Sequence, residues 1–190
     1  MDQLRIKGGK ALHGTVPVSG AKNAALPLLM ASLLTDGVMT WKRVPRLDDI
    51  RTTNKLIRGL GADVDWNEET GEVKIRAEKL VSQEAQYDLV RTMRASVLVL
   101  GPLVARFGIA KVSLPGGCAI GARPIDLHLK GLEKLGAKIT LENGYVLATA
   151  DRLKGAHLAF DFPSVGATEN VLMAAVRSEE HTSELQSLAY

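Results

Sequence analysis

The chain has 190 residues, of which 46% are hydrophobic and 24% charged, enough for one sizeable core beneath an ordinary soluble surface. Its net charge of +3, from 24 basic and 21 acidic residues, is too small for a nucleic-acid footprint, which needs a basic face. The one cysteine, Cys118, excludes an intramolecular disulfide and a cysteine-rich metal site, and it suits a reducing compartment.

The first residues, Met1-Asp2-Gln3-Leu4-Arg5, lack the apolar centre of a signal peptide. The longest apolar runs, Ala24–Leu34 and Val97–Ala105, are too short to cross a bilayer and are interrupted by Pro27 and Pro102. These features predict a soluble, cytoplasmic protein with no membrane contact.

In chain order, Val16-Pro17-Val18 reads as the end of a strand. The loop Ser19-Gly20-Ala21-Lys22-Asn23 follows, then a helix start. Gly20 allows a close approach of backbone to ligand, and the free N–H groups of a helix start favour an anion. Lys22 in that first turn opposes the helix dipole unless an anion neutralises it. Locally, a solvent-exposed lysine on an ordinary strand-to-helix loop fits as well.

Leu56, Ile57 and Leu60 form an apolar helical face, and Gly61 stands where a helix stop needs positive φ. A strand, a turn at Thr70-Gly71 and a second strand at Glu72–Arg76 follow. Thr92-Met93-Arg94-Ala95-Ser96 opens the next helix, with Arg94 placed either to fork onto phosphate or carboxylate or simply to face solvent. The stretch Leu114–Leu127 sets three glycines and a proline around Cys118, with Arg123 and Lys111 near enough in sequence to favour a thiolate. A small buried Cys118 is the plainer reading, and the two glycines before it argue against a packed position.

Leu129, Leu132 and Leu135 then repeat the helical face, Gly136 repeats the stop, and Asn143-Gly144 is a hairpin signal before Tyr145–Thr149. Leu60-Gly61-Ala62-Asp63-Val64 recurs as Leu135-Gly136-Ala137-Lys138-Ile139, at an offset of 75 residues. Leu158–Phe162 reads as another strand before Pro163-Ser164-Val165-Gly166-Ala167-Thr168 and a helix over Glu169–Val176. The unit is a β-α-β-β module, present twice with a third begun, which predicts an α/β or α+β fold.

The end reads differently. Arg177–Ser187 has no apolar periodicity and no relation to the repeat; it reads like a translated sequencing-library adapter, so residues 177–190 are expected to be foreign. Resequencing the source gene across codon 177 checks this. The four histidines, His13, His128, His157 and His181, lack metal-ligand spacing, and His128 after Asp126 reads as structural. There is no dinucleotide fingerprint and no Walker loop, so neither a nucleotide cofactor nor a metal is expected.

Together, Ser19–Asn23, Thr92–Ser96, Pro115–Leu127 and Ser164–Thr168 resemble the UDP-N-acetylglucosamine 1-carboxyvinyltransferase family, with the Cys118 loop the most specific motif. The resemblance runs from Met1 to Val176. It implies transfer of the enolpyruvyl group of phosphoenolpyruvate to the 3-hydroxyl of UDP-N-acetylglucosamine, with release of phosphate and no cofactor. This is the first committed step of peptidoglycan synthesis.

The resemblance also implies an inside-out α/β barrel lobe, residues 21–176, with residues 1–20 as a strand segment belonging to a second lobe. Lys22 and Asn23 would bind phosphoenolpyruvate and sugar groups, and Arg94 and Arg123 would hold anionic substrate. Cys118 would deliver a proton to the enolpyruvyl methylene carbon, on a loop that closes over substrate. Pro124, Asp126 and Leu127, with Ser164, Val165 and Gly166, would line the nucleotide-sugar site. Phe162 departs from the lysine that many members carry there. The chain stops within the third module, so the second lobe's carboxylates and arginines are missing, and no turnover is expected of this chain. No obligate protein partner is indicated. The alternatives are a shikimate 3-phosphate enolpyruvyl transferase, which does not use this cysteine, and a non-catalytic repeat module for binding.

Overall fold

A computed structural model describes residues 3–90, 93–114 and 125–179. Two copies of the repeat organise them. In the first copy, α1 (Lys22–Ala31) is followed by β1 (Val38–Trp41), α2 (Asp48–Gly59), β2 (Asp63–Asn67) and β3 (Glu72–Arg76). Residues 77–90 then hold β4 (Glu84–Ala85) and α3 (Tyr87–Val90). In the second copy a 3-10 helix (Arg94–Val99) runs into α4 (Leu100–Phe107), followed by β5 (Ile109–Ser113), α5 (Asp126–Lys134), β6 (Lys138–Glu142) and β7 (Tyr145–Thr149). The helix α6 (Val165–Ala175) opens a third round.

The strand pairing repeats with the sequence. The first sheet has the order β1-β3-β2 and the second β4-β5-β7-β6, so the last strand of each copy is flanked by the other two. Those pairings are antiparallel in both copies, while β4 joins the second sheet parallel to β5. The repeated Leu-Gly-Ala has a physical meaning, since it is the stop of α2 and of α5. Gly61 and Gly136 adopt φ of 104° and 92°. Gly61 N–H donates to Arg58 O at 2.9 Å and Ala62 N–H to Ile57 O at 3.3 Å; Gly136 and Ala137 repeat this onto Glu133 O and Leu132 O at 2.9 and 3.0 Å. This pair of bonds satisfies the last helix carbonyls and needs a residue that tolerates positive φ. Asn143 and Gly144 both have positive φ, 51° and 80°, as the tight hairpin between β6 and β7 requires.

The core lies between the helices and the inner sheet faces. Leu29, Met30, Leu33, Leu100 and Leu103 are fully buried. So are Val73 and Ile75 of β3 and Val146 and Ala148 of β7, the inward positions of their strands. Helix α6 packs on α4 and α5, and α1 packs on α2, on the 3-10 helix and on α6. Arg106 ties the copies together. Its guanidinium donates to Leu33 O, Thr35 O and Ala77 O at 2.8, 2.9 and 2.6 Å. Among the described residues no helix is long and apolar enough to cross a membrane.

Two expectations meet a different outcome. Leu158–Phe162 forms no ladder; this segment lies against α5, with Leu158 and Phe160 beside Gly131. The helix expected from Thr92 begins as a 3-10 helix at Arg94. Residues 3–20, whose expected strand partner is a second lobe, form no ladder with any described residue, and Leu4, Ile6, Leu12, Val16 and Val18 are each more than four-fifths exposed. The first residues of the segment expected to be foreign pack on the fold. Ser178 is buried, Glu179 N–H donates to Leu153 O at 2.9 Å, and Gly155 N–H donates to Glu179 O at 3.0 Å.

Candidate functional site

Where the motifs singled out in the sequence fall among the described residues, they stand at the starts of helices. Lys22 and Asn23 are the first residues of α1, and both are exposed. The turn before them needs Gly20, because a Cβ there would lie 2.1 Å from Arg43 O. Lys22 is already engaged, its Nζ lying 2.7 Å from Asp49 Oδ2 in the first turn of α2. Each charge offsets the other, and the carboxylate is the one that suits its helix end.

Arg94 begins the 3-10 helix and is exposed. Asp126 and Leu127 begin α5; Leu127 is buried, and Asp126 Oδ1 is buried with no hydrogen-bond partner among the described residues. Leu127 also edges an open cavity of about 430 Å³, bounded by Lys130, Lys134, Phe160 and Asp161.

Ser164 is the N-cap of α6. Its Oγ accepts from Ala167 N–H at 3.3 Å, and its carbonyl accepts from Thr168 Oγ1 at 2.9 Å. Val165 and Gly166 occupy the next two positions, where an α-helix offers no internal acceptor for the N–H groups. Val165 is 74% exposed, so this helix start opens outward.

Between these starts lies a buried polar network. His128 is 4% exposed, and its Nδ1 lies 3.1 Å from Asn170 Nδ2. Asn170 is fully buried; its Oδ1 accepts from Gly101 N–H at 2.8 Å and its Nδ2 donates to Val97 O at 3.2 Å. The imidazole lies against Gly166, where an added Cβ would be 3.3 Å from Cε1 and 3.4 Å from Nε2. Burial, helped by the Arg94 charge and opposed by Asp126, pushes the His128 pKa down to about 4. The ring is therefore neutral at pH 7. His128, Asn170 and Gly101 thus join the elements that bear Arg94, Asp126–Leu127 and Ser164–Gly166. Lys22 and Asn23 belong to a helix that packs on the same bundle.

Cys118, Arg123 and Pro124 lie outside the described residues. Their loop leaves β5 at Leu114, whose N–H donates to Gly144 O at 2.8 Å, and rejoins the fold at Ile125, which is buried. Lys111, expected to favour the thiolate, instead pairs with Glu84 at 3.0 Å and lies over the Tyr145 ring. Phe162 is 54% exposed beside the Ser164 turn. Sequence reasoning missed Asp49 and Asn170. Asp49 left no mark beyond an acidic helix start, and Asn170 only an amide inside an apolar helix pattern. Among the described residues no group of His, Cys, Asp and Glu side chains has the geometry of a metal site.

The family model described as EPSP synthase (3-phosphoshikimate 1-carboxyvinyltransferase) matches residues 6–190. The UDP-N-acetylglucosamine 1-carboxyvinyltransferase of Desulforapulum autotrophicum is 59% identical over 182 residues, 96% of this chain and 43% of that protein. The enzyme of the same name from Myxococcus xanthus is 58% identical over 183 residues, 96% of this chain and 44% of its own length. The chain thus spans less than half the length of the curated relatives it matches. Among solved structures, the enolpyruvyl transferase NikO of Streptomyces tendae superposes with a TM-score of 0.71 at 20% identity, covering 90% of this chain and 40% of that one. EPSP synthase of Acinetobacter baumannii gives 0.69 at 23% identity, over the same shares of each chain. At those identities the likeness speaks for the fold: a mixed α/β arrangement found in enolpyruvyl transferases. With the family model matched across nearly the whole length, the chain belongs to the EPSP synthase family.

Proposed function

We propose that this chain is the cysteine-bearing lobe of an enzyme that transfers the enolpyruvyl group of phosphoenolpyruvate to the 3-hydroxyl of UDP-N-acetylglucosamine. The observation that carries this is the 59% identity, over 96% of the chain, to a protein named for that reaction. In this reading the lobe is an inside-out barrel over residues 21–176, residues 1–20 pair with a second lobe, and residues 177–190 are foreign.

The chemistry divides among the residues as follows. The sugar 3-hydroxyl attacks C2 of phosphoenolpyruvate, giving its proton to a base on the second lobe, while Cys118 gives a proton to C3, producing a tetrahedral adduct. Loss of a proton from C3 and departure of phosphate from C2 restore the double bond. Phosphoenolpyruvate is densely anionic, so Lys22, Arg94 and Arg123 offset its charge. Lys22 then exchanges Asp49 for the ligand. Asn23 contacts the sugar. The outward-facing N–H groups of Val165 and Gly166, at a helix start fixed by the Ser164 cap, suit the diphosphate of the nucleotide sugar. Pro124, Asp126 and Leu127 line the nucleotide-sugar site with them.

Titration calorimetry of the full chain with UDP-N-acetylglucosamine, and separately with shikimate 3-phosphate, tests the substrate class. Heat from the nucleotide sugar alone is the expected result; binding of shikimate 3-phosphate alone would reverse the assignment. The chain by itself is expected to release no phosphate from the substrate pair, because the opposite wall of the cleft is not supplied by this lobe.

A further inference from the structure

His128 and Asn170 are buried polar groups that the reaction scheme above does not use, and their hydrogen bonds leave no freedom of assignment. Gly101 N–H can only donate, so the Asn170 atom facing it at 2.8 Å is the oxygen. Val97 O can only accept, so the atom facing it at 3.2 Å is the amide nitrogen. That fixes the amide, and its second N–H points at His128 Nδ1, 3.1 Å away. Nδ1 must therefore accept, and the imidazole proton sits on Nε2.

The Nε2–Cε1 edge lies against Gly166, beside the first N–H groups of α6, which have no acceptor within the helix. Close packing holds this arrangement. A Cβ on Gly101 would fall 2.4 Å from Asn170 O and 2.5 Å from Asn170 Oδ1, so the bare glycine lets α4 approach α6 closely enough for the bond to form. The charged groups facing the ring are Arg94 and Asp126.

We propose that Asn170 is a positioning residue: it locks His128 as the neutral Nε2–H tautomer and so presents an uncharged donor to a phosphoryl oxygen held at the Ser164–Gly166 turn. The part concerning the ligand rests on the nucleotide-sugar reading; the tautomer does not. A neutral donor adds a directed hydrogen bond to an anion beside Arg94 without adding a further buried charge.

The test is nitrogen NMR of the imidazole of the full chain, wild type, Asn170→Asp and Asn170→Ala, with and without UDP-N-acetylglucosamine. In the wild type at pH 7, His128 should show a bare Nδ1 and a protonated Nε2. Asn170→Asp, nearly the same shape, puts a carboxylate oxygen against Nδ1; at pH 7 it should draw the proton of the neutral ring from Nε2 to Nδ1, and the ring should bind its second proton about a hundredfold more tightly. Asn170→Ala should release the ring into a mixture of tautomers. A protonated Nδ1 in the wild type, or a tautomer that does not change in either variant, overturns the proposal. If calorimetry shows the nucleotide sugar bound while the Nε2 signal stays still, the donor role is overturned and the substrate reading stands. If nothing binds but the tautomer follows Asn170, the substrate reading falls while the lock holds.

Discussion

In the first copy of the repeat, residues 42–47 join β1 to α2, and the ion pairs around the junction lie at the surface. Arg46 and Arg51 meet Glu68 at 2.8 and 2.6 Å, Arg51 also meets Asp48 at 2.8 Å, and the same guanidinium lies over the Trp66 ring. In the second copy the equivalent link runs from residue 114 to 125 and carries Cys118, and the polar groups beside it are buried: His128, Asn170 and the Gly101 amide. The same strand order and the same glycine helix stop thus frame two kinds of junction. Exposed ion pairs are exchangeable and contribute little to stability. A buried network needs every partner, and it holds one geometry in return. One scaffold, used twice, thus frames exposed ion pairs in one copy and a buried polar network in the other, behind a link that is longer in sequence.

The largest effect should come from disturbing the second junction. Gly101→Ala drives a Cβ into the Asn170 backbone and breaks its bond to the amide; a loss of about 3 kcal/mol in denaturant unfolding is expected. A stability unchanged from wild type would mean that α4 and α6 do not need this close approach. Next comes acid. The His128 pKa is lowered in the fold, from 6.5 to about 4, so the unfolded chain takes up the proton first as pH falls. The contribution is fully present above pH 6.5 and disappears as the pH drops to about 4, a loss of about 3 kcal/mol across the window. His128→Gln should flatten that slope; a slope that survives the substitution would assign it to other groups. The smallest effect belongs to the first copy. The Arg51 guanidinium holds the Glu68 carboxyl below its ordinary range, but the pair lies in solvent, so Glu68→Gln should shift the unfolding midpoint only slightly and not at all in high salt. A large, salt-resistant loss there would erase the contrast between the junctions.

Much of this was legible in the sequence because it rests on local rules. Leu-Gly-Ala announces a helix stop by the positive φ that Gly61 and Gly136 adopt, Asn143-Gly144 announces its hairpin, and Ser164 announces a cap. Leu158–Phe162 reads as a strand and forms none, because apolar alternation cannot tell a paired strand from an extended segment lying on a helix. The engagement of Lys111 by Glu84 and of Lys22 by Asp49 depends on partners brought by the sheet and by the packing of α1 on α2. Asn170 was invisible for the same reason: its meaning comes from Val97, Gly101 and His128, which lie on other elements. Cys118, Arg123 and Pro124 rest on the resemblance, since they lie outside the described residues.

In the proposed function this lobe would present Cys118 to a phosphoenolpyruvate-like ligand beside a nucleotide-sugar half-site. Mass spectrometry of the full chain after exposure to fosfomycin, a phosphoenolpyruvate-like epoxide, with and without UDP-N-acetylglucosamine, tests it most directly. One adduct, on Cys118, formed faster in the presence of the nucleotide sugar, is the expected result. No adduct, or labelling at a rate the nucleotide sugar leaves unchanged, would contradict it.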